Sequence, residues 1–308
     1  MIAAPLYADV AQGPAGGQAV WLRASDGTRL RLAHWPAAGG RGTVLIFPGQ
    51  AEHIEKYGPT AAHLVAAGFD VLAIDWRGQG LSDRRVAELG HVGDFAEFQQ
   101  DVIAMLDHIT RAGLPRPLHL LAHSMGGCIG LRSLMEGLPV QSAVFSAPMW
   151  GLHLPPGGSL LAAPIAALAS RHGAALARTP TTTRQGYVRA LPFAGNRLTR
   201  DPDMYRWLQQ QLEAHPDLAL GGPTLGWLAA AFREMAALSR LASPTLPCRI
   251  ALGSAERVVS PDAIRQRHAR WPGAVLDVYA DAEHEVMMEL PAHRDRFHSS
   301  ASSFFSTA

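Results

Sequence analysis

Apolar and polar positions follow two rhythms along this chain. Residues 18–35 alternate between them, with Ser25-Asp26-Gly27-Thr28 in the middle, which predicts an antiparallel hairpin closed by an Asp-Gly turn. Short continuous apolar runs follow at 43–48, 70–75, 118–123, 142–146, 248–252 and 275–279. Such runs suit strands buried on both faces of a parallel sheet. Segments of helical period separate them at about 57–67 and 94–112, and a last helix begins near 291. In the second of these, Phe95, Phe98, Val102, Met105, Leu106 and Ile109 recur at helical spacing. Strands alternating with helices predict an α/β fold with a doubly wound, mostly parallel sheet.

The rhythm breaks between 150 and 240. Strand signals are few there, and helical segments are predicted at about 159–170, 201–214 and 223–237. The second is led by Asp201-Pro202, a cap followed by a proline at the first helical position. The division is therefore a core of 1–149 and 241–308 and an inserted helical cap of 150–240. The cap would sit over the strand ends, where open α/β sheets bind ligands. The apolar segment Leu160 to Leu176 reads as a buried cap helix, with acyl-chain or membrane-surface contact as the alternative. The glycines and prolines near 155–158 and 221–223 read as hinges or turns.

Composition narrows the class. The 308 residues are 48% hydrophobic and 17% charged, a globular balance. The formal net charge is +1, with arginines interspersed among carboxylates, so no general attraction to nucleic acid or acidic membranes is implied. Cys128 and Cys248 have no metal spacing and form no disulfide framework, which suits a reducing compartment. The start lacks a basic stretch followed by a long apolar one, and no apolar run approaches the ~20 residues of a membrane helix. These features predict a soluble cytoplasmic protein.

Candidate chemistry concentrates at Leu118-His-Leu-Leu-Ala-His-Ser-Met-Gly-Gly-Cys128. An apolar strand runs into Ser124, small residues flank it at Ala122 and Gly126, and a helix-compatible run follows. This is a nucleophile elbow, G-x-S-x-G with Ala for the first Gly. A serine needs a base and a carboxylate to orient that base, in the chain order Ser, acid, His. His284 stands a few residues past the strand at 275–279. Glu256 stands at the exit of the strand at 248–252, with Asp262 as the fallback acid and Asp281 as a turn residue. The loop Phe47-Pro-Gly-Gln-Ala-Glu-His53 offers the N–H of Gln50 as an oxyanion donor beside the N–H of Met125. Glu52 and His53 either support that loop or form a solvated pair, and His123 packs beneath the elbow. The residues after Asp75, Trp-Arg-Gly-Gln-Gly, shape a tight loop at the pocket rim. His119 and His123, on the elbow strand, have no acidic or cysteine partner at ligand spacing, and the ester chemistry needs neither a metal nor an organic cofactor.

Together Pro48-Gly-Gln-Ala-Glu-His53 with Tyr57, Asp75-Trp-Arg-Gly-Gln-Gly-Leu-Ser82, the elbow, Glu256-x-Val258-Val259 and His284-Glu285 resemble the monoacylglycerol lipase and bacterial lysophospholipase branch of the α/β-hydrolase superfamily. Three positions depart from that pattern: Pro48 for a His, Ala122 for a Gly and Glu256 for an Asp. The resemblance implies an α/β-hydrolase fold and a serine hydrolase of acyl-lipid esters, lysophospholipid or monoacylglycerol, with Ser124, Glu256 and His284 catalytic. The partner is a small lipid ester, with transient membrane-surface contact and no nucleic acid. A peptidase of the proline-iminopeptidase type shares fold and triad but needs a carboxylate cluster in the cap. A non-catalytic lipid-binding homologue is the third reading, against which the intact serine, histidine and acid argue.

Overall fold

The computed structural model describes residues 2–155, 158–180 and 182–307. The strands are β1 (Ile2–Ala4), β2 (Gln18–Arg23), β3 (Arg29–Trp35), β4 (Thr43–Phe47), β5 (Asp70–Asp75), β6 (Leu89–Gly90), β7 (Leu118–His123), β8 (Ser142–Ser146), β9 (Gly221–Pro223), β10 (Cys248–Gly253) and β11 (Val275–Tyr279). The helices are α1 (Ala8–Ala11), α2 (Gly58–Ala66), α3 (Glu97–Ala112), α4 (Met125–Met135), α5 (Gly158–Ala169), α6 (Tyr187–Ala190), α7 (Pro202–Ala214), α8 (Leu225–Arg240), α9 (Pro261–His268) and α10 (Pro291–Thr307). Among them, no helix is long and apolar enough to cross a membrane.

Nine strands form one sheet in the order β1-β2-β3-β5-β4-β7-β8-β10-β11. From β5 to β11 every neighbour is parallel, while β1 to β3 are antiparallel, as is the β3–β5 pair. The parallel strands Thr43–Phe47 and Leu118–His123 are buried along their whole length, because helices and their apolar stripes cover both faces. The chain moves from β4 to β5 on one side and returns to β7 on the other. The strand order therefore reverses between β4 and β7, the crevice where such sheets bind ligands.

Several expectations shift in detail. The hairpin forms as read, with Gly27 at φ 88° in its turn. Helix α3 starts at Glu97, just after the expected 94, because Asp94 holds a turn that leads into it. Asp94 Oδ1 accepts the Ala96 N–H at 3.0 Å, and Glu97 Oε1 reaches back to the Asp94 N–H at 3.0 Å. Residues 221–223 are not a turn but strand β9, paired with β6. Glycine serves close backbone approach here, since a Cβ on Gly221 would lie 2.7 Å from the carbonyl oxygens of Glu88 and Arg184. The pairing ties the segment between β8 and β10 to the loop after β5. The reading at 155–158 falls partly outside the described residues. The reading of 160–176 as a buried helix is corrected: Ile165, Leu168 and Leu176 are more than half exposed, while α5 packs on α8 and, among the described residues, buries Ala166. The edge strand β1 carried no pattern long enough to be read.

Candidate active site

Ser124 follows β7 directly and opens α4 at φ 49° and ψ −117°. A non-glycine residue at positive φ carries strain of about 1–3 kcal/mol and persists only where its surroundings over-determine it. Here they do. A Cβ on Gly126 would lie 2.0 Å from the Phe47 carbonyl oxygen, so α4 can pass the exit of β4 only with glycine there. The Ser124 N–H donates to the Ser146 carbonyl at 3.1 Å, and its own carbonyl accepts from Met149 N at 2.8 Å. At the other small position, Ala122, the methyl faces Gly130 of α4, where a Cβ would stand only 3.4 Å away.

Gly253 brings the next two residues together. A Cβ on it would lie 2.2 Å from the Ala282 carbonyl oxygen and 2.3 Å from that of Glu283, so the exit of β10 touches the loop carrying His284. Across that contact, Glu256 Oε2 accepts from His284 Nδ1 at 2.7 Å, while Oε1 accepts the N–H groups of Val258 at 2.5 Å and Val259 at 3.1 Å. His284 Nε2 lies 3.0 Å from Ser124 Oγ. Because Nδ1 donates to the carboxylate, Nε2 carries the lone pair facing the hydroxyl. Asp262 lies elsewhere, exposed in the first turn of α9, and Asp281 is an exposed turn residue at φ 60°.

Burial opposes charge on both Glu256 and His284, yet their pairing wins. The Glu256 carboxyl is held below the usual range by His284 and by the two valine N–H groups. The His284 imidazole is raised above its ordinary value by Glu256, with Glu285 and Glu52 adding to the effect. The site thus favours the imidazolium that forms when His284 takes a proton.

The N–H of Gln50 and that of Met125, the first residue of α4, have no hydrogen-bond partner among the described residues. Free first-turn N–H groups with the positive end of a helix dipole behind them suit a developing oxyanion. The loop holding Gln50 is strongly braced. Its Gly49 N–H donates to Glu52 Oε2 at 2.5 Å, its Ala51 N–H to Gln79 Oε1 at 2.7 Å, and Trp76 Nε1 to the Pro48 carbonyl at 3.0 Å. Glu52 and His53 are buried, not solvated, and His53 Nε2 bonds Gln211 Oε1 of α7 at 3.0 Å. The rim loop after Asp75 therefore buttresses the oxyanion loop from below.

A further group escaped the sequence reading. Lys56 Nζ lies 2.7 Å from Glu52 Oε1 and 2.8 Å from Glu285 Oε2, all three side chains being less than a tenth exposed. This ion pair joins the oxyanion loop to the histidine loop. The signal was there: Glu52 and Lys56 are four apart, and Glu285 adjoins His284. His123 lies against the cluster, its ring 4.8 Å from that of His284. Burial pushes its pKa down to about 3, so its neutral ring donates Nδ1–H to the Ser146 carbonyl at 3.0 Å. One donor atom each from Glu52, His123 and Glu285 falls within 4.8 Å of the others, a spacing a cation can use. The Lys56 ammonium already supplies the positive charge at that point.

Comparison with known proteins adds relatives to this geometry. The pattern of the family described as "Serine aminopeptidase, S33" matches residues 39–291. Lysophospholipase L2 of Escherichia coli is 32% identical over 295 residues, covering 87% of this chain and 82% of its own. Monoacylglycerol lipase of Mycolicibacterium smegmatis is 41% identical over 110 residues, a third of either chain. Among solved structures, a soluble variant of monoglyceride lipase from Saccharomyces cerevisiae aligns with TM-score 0.75 at 18% identity, over 96% of this chain and 98% of its own.

Proposed function

Because the chain belongs to the serine aminopeptidase family of α/β-hydrolases, we propose that it is a carboxylic ester hydrolase acting on acyl lipids, lysophospholipid first and monoacylglycerol second. Ser124 attacks the acyl carbonyl as His284 Nε2 takes its proton. Glu256 holds the imidazole and balances its charge, and the N–H groups of Gln50 and Met125 bind the oxyanion. His284 returns the proton to the leaving alcohol, which departs and leaves an acyl-enzyme. Water, deprotonated by the same imidazole, then releases the fatty acid. One observation carries this reading: the unbroken chain from Ser124 Oγ through His284 to Glu256, at 3.0 and 2.7 Å. Residues 150–240 act as the cap over a core of 1–149 and 241–308. The buried free cysteines Cys128 and Cys248 support a cytoplasmic setting.

The family description also names a peptidase, which would need cap carboxylates to bind a free amino terminus. Of the five present, Asp201 pairs with Arg294, Asp217 with Tyr7 and Glu234 with Arg132, while Asp203 and Glu213 stand exposed, ten apart on α7, and form no cluster. Turnover of lysophosphatidylcholine, a monoacylglycerol and an aminoacyl anilide tests the choice. The lipid esters are expected to be cleaved by the wild type and not by Ser124→Ala. Preference for the anilide would overturn the lipid assignment.

A further inference from the structure

We propose that Gln50 acts twice in the reaction. Its N–H binds the oxyanion, and its side-chain carboxamide donates to a second oxygen of the substrate, a hydroxyl or phosphoryl oxygen beside the scissile ester. This rests on the lipid-ester reading above and assigns the residue that selects the alcohol. Two amide nitrogens carry it. Gln50 Nε2 and Gln79 Nε2 are buried and have no hydrogen-bond partner among the described residues. Both crowd one glycine of β6: a Cβ on Gly90 would lie 2.6 Å from the first and 3.2 Å from the second. Folded proteins avoid buried donors that face one another with no acceptor between them.

Only one of the two carboxamides is free to turn. Gln79 is 1% exposed, and its Oε1 already accepts the Ala51 N–H at 2.7 Å. That bond helps hold Ala51 at φ 60°, a strained conformation for a residue with a Cβ. Rotating Gln79 would set an N–H against an N–H there and release the oxyanion loop. Gln50 is partly exposed, and its Nε2 gives up no bond by turning. The terminal torsion of a glutamine is broad and two-fold, so a half-turn brings Oε1 to the place of Nε2, facing the Gln79 donor. Gln79 Nε2 then has its acceptor, and the Gln50 amide nitrogen moves to the open side of the loop.

That side is the cleft over Ser124. Within 42–58 solvent reaches only Gln50 and Ala51 to any extent, and within 118–131 only Ser124. The two segments touch where Gly126 passes the carbonyls of Phe47 and Pro48. Ser124 is therefore flanked on the exposed floor by Gln50 and Ala51. Glu52 does not compete for the amide, because its carboxylate is turned inward to the Gly49 N–H, Lys56 and Tyr57. The group offered to the substrate is a neutral double donor, which recognises an acceptor oxygen and gains nothing from a plain alkyl alcohol.

The test is kcat/KM on three soluble esters of one short acyl chain. The ethyl ester has no second oxygen, the ethylene glycol monoester adds a hydroxyl, and the ester of 3-hydroxypropyl phosphate adds a phosphate alone. A wild-type preference over the ethyl ester of about 2- to 10-fold for the glycol ester places the bond on a hydroxyl; one of about 10- to 100-fold for the phosphate ester places it on phosphate. Gln50→Met is expected to bring the preference to about one. The ratio of two substrates is read, so any general loss of activity through the loop cancels. Gln79→Glu keeps an acceptor for the Ala51 N–H but offers its other oxygen to Gln50 Nε2, capturing the donor, and is expected to lose the preference likewise. Equal use of all three esters by the wild type, or a preference kept in either variant, would overturn the inference and leave ester hydrolysis standing. A wild type that cleaves none of them would overturn the ester reading and this inference with it.

Discussion

Replacing Lys56 by methionine probes the link between the oxyanion loop and the histidine loop. The ammonium sits between Glu52 and Glu285, and the change leaves two buried carboxylates without their shared cation. Glu52 keeps other partners, the Gly49 N–H and the Tyr57 hydroxyl, both at 2.5 Å. Glu285 Oε2 has no hydrogen-bonded partner to fall back on among the described residues, so most of the cost falls there. Removing one partner of a buried pair costs about 3–5 kcal/mol. In a chain of this size that lowers the melting temperature by about 10 °C. The rate should fall about 10- to 100-fold, because the donors at Gln50 lose their brace. Added negative charge beside His284 should also move the acid limb of the pH–rate profile upward. Thermal unfolding and kcat/KM on a soluble ester read all three effects. The double variant Lys56→Met with Glu285→Gln removes the stranded charge and should recover most of the stability. A melting point within a degree or two of wild type, or a double variant no better than the single, would refute the coupling.

Other outcomes follow from the same geometry. Glu256→Gln should lower kcat about 10⁴-fold, as loss of the orienting carboxylate does in serine hydrolases, while Asp262→Asn should leave it unchanged; steady-state kinetics decide, and the reverse result would put the acid at Asp262. The base must be neutral, and Glu256 raises its pKa, so kcat/KM should fall as pH drops through a value above the ordinary histidine one. In Glu256→Gln that limb should move to lower pH, and an unmoved limb would show that the carboxylate does not set it. Gly126→Ala and Gly253→Ala place a methyl about 2 Å from backbone oxygens, so each should lose activity together with soluble expression or several degrees of melting temperature.

Much of this was legible in the residues because backbone demands leave local marks. The runs at 43–48 and 118–123 announced strands buried on both faces. The elbow announced itself through Gly126, whose missing Cβ lets α4 pass β4. Glu256 and His284 could be chosen by their places at strand exits, since the fold presents chemistry there. What stayed hidden depends on pairings distant along the chain. Lys56 reads as an ordinary loop lysine until Glu285 arrives beside it. Gly221 and Gly222 resemble a turn until β6 lies alongside, and α5 looks like core because its composition is apolar all round. Which side of such a helix faces water is set by α8, more than fifty residues later.

The proposed reaction stands on Ser124 being a nucleophile activated by His284. A fluorophosphonate probe reacts covalently only with such a serine, and peptide mass mapping locates the adduct. A single adduct on Ser124 is expected in the folded wild type, absent in Ser124→Ala and strongly slowed in His284→Ala. An unlabelled Ser124 in folded protein, or equal labelling when His284 is removed, would contradict it.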